Sequence, residues 1–339
     1  MKGSTTAKTT KLLRIAIFSL TDDLHALTIQ HTLKELVGIE CHVVETDNLV
    51  HNGGLSWGSV SSQPPLILSR DSDWFDVREL DLIWWRRVSY PQRDHPSFSD
   101  EYVRQLVSNE WKTALYGLLT GEFTGCWISN PEKTLRAQNK LLQIQAAQTA
   151  GLRVPRTLVS QDPEAVRCFC AMQENEQVIV KALRGAMGRI LAAVPITLRQ
   201  LEDAAIRLCP AIYQELIPGR QHLRINCFGD DIYPFLIETD ALDWRRNLQA
   251  PMSPYSLDEQ TQEQLLEVLR ILGLEMGIID AKLTPDGELV WLEVNPQGQF
   301  LFAEGMTGSD LTTPFARFLE AKASTAKKLG TADPGIVQK

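Results

Sequence analysis

Apolar and polar positions along this chain switch between two periods. LLRIAIF, from Leu12 to Phe18, is an apolar run of the length of one buried strand. DDLHALTIQHTLKELVG then shows helical spacing and stops at Gly38. IECHVVE, PLILSR and DLIWWRR read as further strands, the last ending in Arg86 and Arg87. SDEYVRQLVSNEWKTALYGLLTG reads as a helix capped by Ser99 and closed at Gly121. Strands alternating with helices predict an α/β unit on a mostly parallel sheet.

The pattern continues differently beyond residue 129. NPEKTLRAQNKLLQIQAAQTAG predicts one helix closing on Gly151, followed by a strand at RVPRTL and a short helix at PEAVRCFCAMQ. QVIVKAL and ILAAVPI read as strands around the loop RGAMGR. A helix at TLRQLEDAAIRLC and a strand at AIYQELI follow. HLRINCFGDDIYPFLIE predicts a hairpin turning at Gly229-Asp230-Asp231, and LDEQTQEQLLEVLRILGLE an amphipathic helix. IIDAKLTPDGELVWLEVNPQGQF is two apolar strands around a TPDG turn. DLTTPFARFLEAKA is a last helix, and STAKKLGTADPGIVQK reads as a frayed tail. The expected division is 11–128, 129–215, 216–323 and a tail at 324–339.

Composition narrows the function classes. The 339 residues are enough for two or three domains, with 44% apolar and 22% charged residues. No apolar run reaches membrane-spanning length, and the N-terminal basic flank leads to no cleavage site. Six scattered cysteines without metal spacing read as free thiols in a reducing cytoplasm. A net charge of −8 argues against general nucleic-acid binding. An anionic ligand would then depend on local cations, such as Arg224 and the doublets Arg86–Arg87 and Arg245–Arg246.

Four stretches carry candidate chemistry. In Ile278–Phe300, Asp280, Glu293 and Asn295 interrupt apolar runs. A loop of two or four residues sets Leu283 opposite Glu288 and Asp280 opposite Trp291. Asp280 then lies diagonal to Glu293 on one face, with Asn295. Such oxygens suit Mg2+; a solvated face or pairing with Lys282 accounts for them equally well. A three-residue loop would send Asp280 to the other face. In VIVKALRGAMGR, Lys181 precedes Gly185 and Gly188, a lysine and glycines able to approach phosphate or simply a hairpin. In YQELIPGR, the strand end at Gln214 and Glu215 exposes backbone groups able to read an adenine edge. Finally, HLRI places Arg224 on a strand, and ALDWRR spaces Asp243 and Arg245 two apart; both arginines suit anions or plain surface charge.

The order of these stretches resembles the ATP-grasp ligases, in the branch of the ribosomal-protein glutamate ligase, over roughly residues 12 to 320. VKALRGAMGR is similar to that branch's lysine and glycine loop, YQELI to its adenine hinge, and IIDAKL with WLEVNPQGQF to its paired magnesium strands. NKLLQIQAAQTAGLRVPRTL is similar to the segment entering the ATP-binding lobe, with Lys140 at the first phosphate-binding lysine. LIWWRR and LDWRR further resemble microviridin-type graspetide ligases. Ala186, Ile190 and His222 depart from the common pattern.

The resemblance implies an α/β ATP-grasp fold with an N-terminal pre-ATP-grasp domain and ATP between two lobes. It implies ATP and Mg2+ as cofactors, a precursor peptide as partner and a possible homodimer. Lys140, Lys181, Gly185, Gly188, Gln214, Glu215, Leu216 and Ile217 would hold the nucleotide. Asp280, Glu293 and Asn295 would hold Mg2+, and Arg224, Asp243 and Arg245 would serve catalysis. The implied reaction activates a side-chain Asp or Glu carboxylate as an acyl phosphate, which a Ser/Thr hydroxyl or Lys amine attacks. A ligase acting on a small amino acid or a protein terminus shares every nucleotide residue. TPFARFLEAKA also resembles a helix of microviridin precursor leaders, while its apolar spacing suits a plain closing helix.

Overall fold

The computed structural model describes residues 12–60, 62–90, 92, 100–173, 178–184, 193–247 and 249–330. Two compact units emerge, residues 1–130 with 310–339, and residues 131–309.

In the first unit, β1 (Leu13–Ser19), α1 (Leu24–Glu35) and β2 (Ile39–Glu45) are followed by α2 (Leu49–Asn52) and β3 (Leu55–Ser56). Next come β4 (Leu66–Leu68), β5 (Trp74–Asp76), β6 (Leu82–Trp85), α3 (Glu101–Glu122) and β7 (Cys126–Ile128). Strands run in the order β2-β1-β6-β7, each neighbouring pair parallel, while β3, β4 and β5 form a small antiparallel sheet. A parallel sheet covered on both faces needs apolar residues at successive positions, which is why LRIAIFS is buried almost throughout. The cap of α3 is Asp100, whose carboxylate accepts from Val103 N at 2.7 Å, and the helix runs past Gly121 to Glu122. Ser99, the expected cap, lies outside the described residues.

The chain's last helix, Thr312–Gly330, belongs to this unit. It buries Phe315, Ala316, Leu319 and Ala323, and Phe315 meets Trp84 at 4.7 Å between ring centroids. The helix runs seven residues beyond the expected DLTTPFARFLEAKA stretch and includes part of the expected frayed tail. Lys327 fixes this extension by donating to Leu12 O at 2.6 Å and to both Asp81 oxygens.

The second unit opens with α4 (Pro131–Ala137) and α5 (Lys140–Thr149), where the sequence predicts a single helix. Asn139 makes the break: its side chain accepts from Leu141 N and Leu142 N, the arrangement of an N-cap, and sets Lys140 in the first turn of α5. Then come β8 (Thr157–Ser160), α6 (Pro163–Ala171), β9 (Val178–Lys181), β10 (Val194–Ile196), α7 (Asp203–Leu208) and β11 (Ala211–Glu215). These strands form an antiparallel sheet in the order β10-β9-β11-β8.

A five-stranded antiparallel sheet follows, built from β12 (Gln221–Phe228), β13 (Asp231–Glu238), β14 (Met252–Pro254), β15 (Met276–Leu283) and β16 (Leu289–Asn295). Its order is β14-β13-β12-β15-β16. The β12–β13 hairpin turns on Gly229 and Asp230, with Gly229 at a φ of 62° that suits glycine. α8 (Glu259–Leu272) lies between β14 and β15 in the chain, and α9 (Leu301–Thr307) closes the unit. Leu223, Ile225, Ile279, Ala281, Trp291 and Val294 form one core with Leu265, Val268 and Leu269 of α8. The period of two therefore sends His222 and Arg224 on β12, and Asp280 and Lys282 on β15, to the opposite face.

Candidate functional site

Register decides whether the acids meet. Leu283 pairs with Leu289, leaving five residues, 284–288, between the strands rather than the even number expected. Continued without interruption, that register would set Asp280 opposite Leu292. A register shift between Asp280 and Ala281 intervenes, so Asp280 pairs directly with Glu293 while Ala281 still pairs with Trp291. One extra residue on β16, Leu292, absorbs the difference. The expected pairing of Asp280 with Trp291 is thus corrected. The two carboxylates share a face because a β-bulge compensates an odd loop.

A cavity of about 360 Å3 opens on this face. Asp280, Glu293, Lys140, Lys181, Asp243 and Arg245 line its polar side. Gln214, Glu215, Leu216, Ile217, His222 and Lys282 line it further along. Of the sequence-derived candidates, Arg224 and Asn295 do not line it, and Gly185 and Gly188 lie outside the described residues.

The charges in the cavity are interlocked. Lys140 Nζ donates to Glu293 Oε2 at 2.5 Å, joining residues 153 apart in sequence. Burial alone would push the Glu293 carboxyl up; Lys140, Lys181 and Arg245 outweigh it and hold the group well below the usual carboxylate range. Burial lowers the Lys181 ammonium to about 8, opposed by Glu293 and reinforced by Lys140 and Arg245. Asp243 grips Arg245 in a bidentate pair, Nε to Oδ1 at 2.8 Å and Nη2 to Oδ2 at 2.7 Å. It also accepts from Arg245 N, capping the short turn Trp244–Arg246. Burial raises the Asp243 carboxyl, and the hydrogen bonds and charge of Arg245 reverse that and lower it. An acid so held orients its arginine; it is a poor proton acceptor.

Arg224 stands behind Asp280. Its Nη1 donates to Asp280 Oδ2 at 2.8 Å and its Nη2 to Gln299 O at 3.0 Å. Gly298 keeps this corner open, since a Cβ there would come within 2.4 Å of Ile278 Cγ1. At the other end of the cavity, Gln214 donates to Thr157 Oγ1 at 2.8 Å. The Glu215 carboxylate accepts from Arg156 N and faces Arg153 and Arg156, so its side chain is engaged elsewhere.

Lys282, which the sequence suggested as a partner for the acids, instead donates to Ile217 O at 2.8 Å and ties the end of the Gln214–Ile217 stretch to β15. His222 is buried beside it, and burial, with the Lys282 charge, lowers its imidazole to about 4. Lys282 was within reach of the sequence, because a period of two already puts it on Asp280's face. Its acceptor, 65 residues away, had no local signal.

The donor set can be tested against Mg2+. Asp280 Oδ1 is buried with no hydrogen-bond partner among the described residues, and Glu293 stays ionised beside it. Two carboxylates of this kind fit an oxygen-ligated divalent cation. Asn295 shares their face but is exposed, with its Oδ1 accepting from Gln297 N at 3.0 Å. No cluster of three or more His, Cys, Asp or Glu suited to a metal occurs among the described residues. A cation here would take its remaining oxygens from amide, water or phosphate.

Comparison with known proteins fits this geometry. A model of the RimK-like ATP-grasp domain matches residues 137–319. A probable alpha-L-glutamate ligase of Xanthomonas euvesicatoria pv. vesicatoria (strain 85-10) is 29% identical over 208 residues, 59% of this chain and 70% of that protein. The crystal structure of macrocyclase MdnC from Microcystis aeruginosa MRC, bound with precursor peptide MdnA, aligns with a TM-score of 0.80 at 25% identity. That alignment covers 91% of this chain and 100% of the other. A Chryseobacterium gregarium RiPP-associated ATP-grasp ligase, in complex with ADP and a leader and core peptide, shares the fold. It gives a TM-score of 0.80 at 20% identity, covering 93% and 98% of the two chains.

Proposed function

The chain belongs to the RimK-like ATP-grasp family, and from that premise we propose that it is a macrocyclase joining side chains of a ribosomally made precursor peptide. It is an ATP-grasp ligase using ATP and Mg2+. In the proposed reaction an Asp or Glu side-chain oxygen attacks the γ-phosphorus of ATP, ADP leaves, and an acyl phosphate forms. A Ser/Thr hydroxyl or a Lys amine of the same peptide then attacks the acyl carbon. Phosphate departs, and an ester or amide closes the ring with the loss of one water per link.

Each residue contributes by charge or position. Lys140 and Lys181 hold the α- and β-phosphates. The stretch Gln214, Glu215, Leu216 and Ile217 receives adenine. Asp280, Glu293 and Asn295 would hold Mg2+, which neutralises charge developing on the phosphates. Arg245 binds the substrate carboxylate and Asp243 orients Arg245. Arg224 fixes Asp280 and, through it, the end of the cavity where phosphate transfers.

One observation carries this reading: Lys140, Lys181 and Arg245 converge on two carboxylates within a single cavity, as transfer between a phosphate and an acidic group requires. The structural likeness to a macrocyclase bound with its precursor supports a peptide substrate. A second reading has its own support, since curated relatives carry the name alpha-L-glutamate ligase. In that reading a carboxylate is joined to an amine, and the substrate is a small amino acid or metabolite, or a protein C-terminus.

The two readings separate in one assay. Incubation with MgATP and a leader-bearing peptide whose core repeats Thr/Ser and Asp/Glu is expected to remove one water per link, seen by mass spectrometry. Mass gain by whole glutamate residues would sink the macrocyclase reading. Glu293→Gln is expected to reduce ADP formation at least about 100-fold, judging from the cost of disturbing metal ligation; full activity would remove the metal assignment.

A further inference from the structure

An aromatic pair, one ring lining the cavity and the other outside it, joins the two arginine systems of the site. Trp244 stands between Asp243 and Arg245 in the chain, and its ring stacks on Phe302 of α9, 5.5 Å between centroids at 25°. The Arg224 guanidinium carbon lies 5.7 Å from the Trp244 ring centroid and 5.8 Å from that of Phe302. Arg224 is itself fixed by Asp280 and Gln299 O, as described above. The turn that aims Arg245 is therefore anchored at both ends of its geometry. Asp243 chelates the guanidinium, and Trp244 rests on a ring and a buried cation that do not line the cavity.

We propose that Phe302 is a positioning residue: by stacking on Trp244 against Arg224, it holds the 243–245 turn so that Arg245 presents its guanidinium to an anionic group beside the nucleotide phosphates. Arg245 is half-exposed and belongs to a one-turn element, so chelation by Asp243 alone fixes its direction relative to Asp243 and not relative to the sheet. The stack supplies that second constraint, through contacts of a planar cation with ring faces. Residues so placed act on where an anion binds and leave the adenine end untouched.

This inference rests on the reading that Arg245 meets an anionic substrate group, and its test uses inorganic phosphate as the probe. Phosphate binding to the full chain loaded with MgADP would be measured by calorimetry for the wild type, Arg245→Ala, Phe302→Leu and Phe302→Tyr. Wild type is expected to bind phosphate and Arg245→Ala to lose it. Phe302→Leu is expected to weaken phosphate about fivefold, the size of a lost cation–ring contact, with MgADP affinity unchanged. Phe302→Tyr, which keeps the ring, is expected to restore phosphate binding. Phosphate binding by Phe302→Leu equal to wild type would overturn the proposal, as would equal losses of phosphate and ADP affinity. Absence of phosphate binding by the wild type would overturn it too. If the phosphate results hold while acidic peptides go unmodified, the peptide reading fails and the positioning role stands.

Discussion

At the scale of single residues, burial sets the protonation states. His222 has an imidazole lowered from 6.5 to about 4 by burial and by Lys282, against Asp243 and a backbone hydrogen bond with Ala241. The sign follows directly. Above pH 6.5 the imidazole is neutral folded and unfolded, and it contributes nothing to pH dependence. Below that value the unfolded chain takes up a proton that the folded chain refuses, so stability falls as pH drops and the loss levels off below about 4. His25 of the first unit, lowered to about 3 by burial and Arg86, acts in the same sense. Urea unfolding at a series of pH values is expected to show a loss of up to about 1.4 kcal/mol per pH unit from His222. His222→Gln should flatten that share of the slope; an unchanged slope would mean that the imidazole protonates freely in the fold.

At the scale of elements, patterning and packing agree where a face is buried and part company at ends and turns. IECHVVE is the strand Ile39–Glu45 residue for residue, being buried almost throughout, and LDEQTQEQLLEVLRILGLE contains α8, whose helical periodicity faces a core. The helix expected at 130–150 is broken, since Asn139 satisfies two backbone donors better as a cap than as a mid-helix residue. The last helix shows what a sequence likeness to a leader helix leaves open. Phe315 and Leu319 are fully buried within the first unit, which makes the helix part of that unit's core. Phe315→Ala is expected to cost about 3–5 kcal/mol in denaturant unfolding, the usual cost of emptying such a site. A change close to zero would mark the helix as peripheral and return it to the leader-like reading.

At the scale of the whole molecule, a chain of net charge −8 carries a cavity where Lys140, Lys181 and Arg245 gather. The far field repels anions, while the local field attracts them over short range. Partly enclosed charges are screened less than surface ones. MgATP affinity is therefore expected to change less than about fivefold between roughly 50 and 300 mM salt, since screening acts mainly on exposed charges. A steep decline in a titration series would place the phosphates on exposed surface cations instead. Among the described residues, no helix is long and apolar enough to cross a membrane.

By itself the sequence indicated the longer strands and helices and picked out candidate residues, because periodicity and residue type are local properties. Lys181 at a strand end, the spacing of Asp243 and Arg245, and the acids of Ile278–Asn295 were all legible. Tertiary structure alone decided how these groups meet. The odd loop at 284–288 would have parted Asp280 from Glu293, and only the bulge at Leu292 restores the pair. Asn295 turned to solvent, Arg224 withdrew behind Asp280, and Lys282 found a carbonyl rather than an acid. The link from Phe302 through Trp244 to Arg224 spans three elements. The reason is geometric: a contact between distant residues depends on register and on where each strand bends, and a single inserted residue changes both.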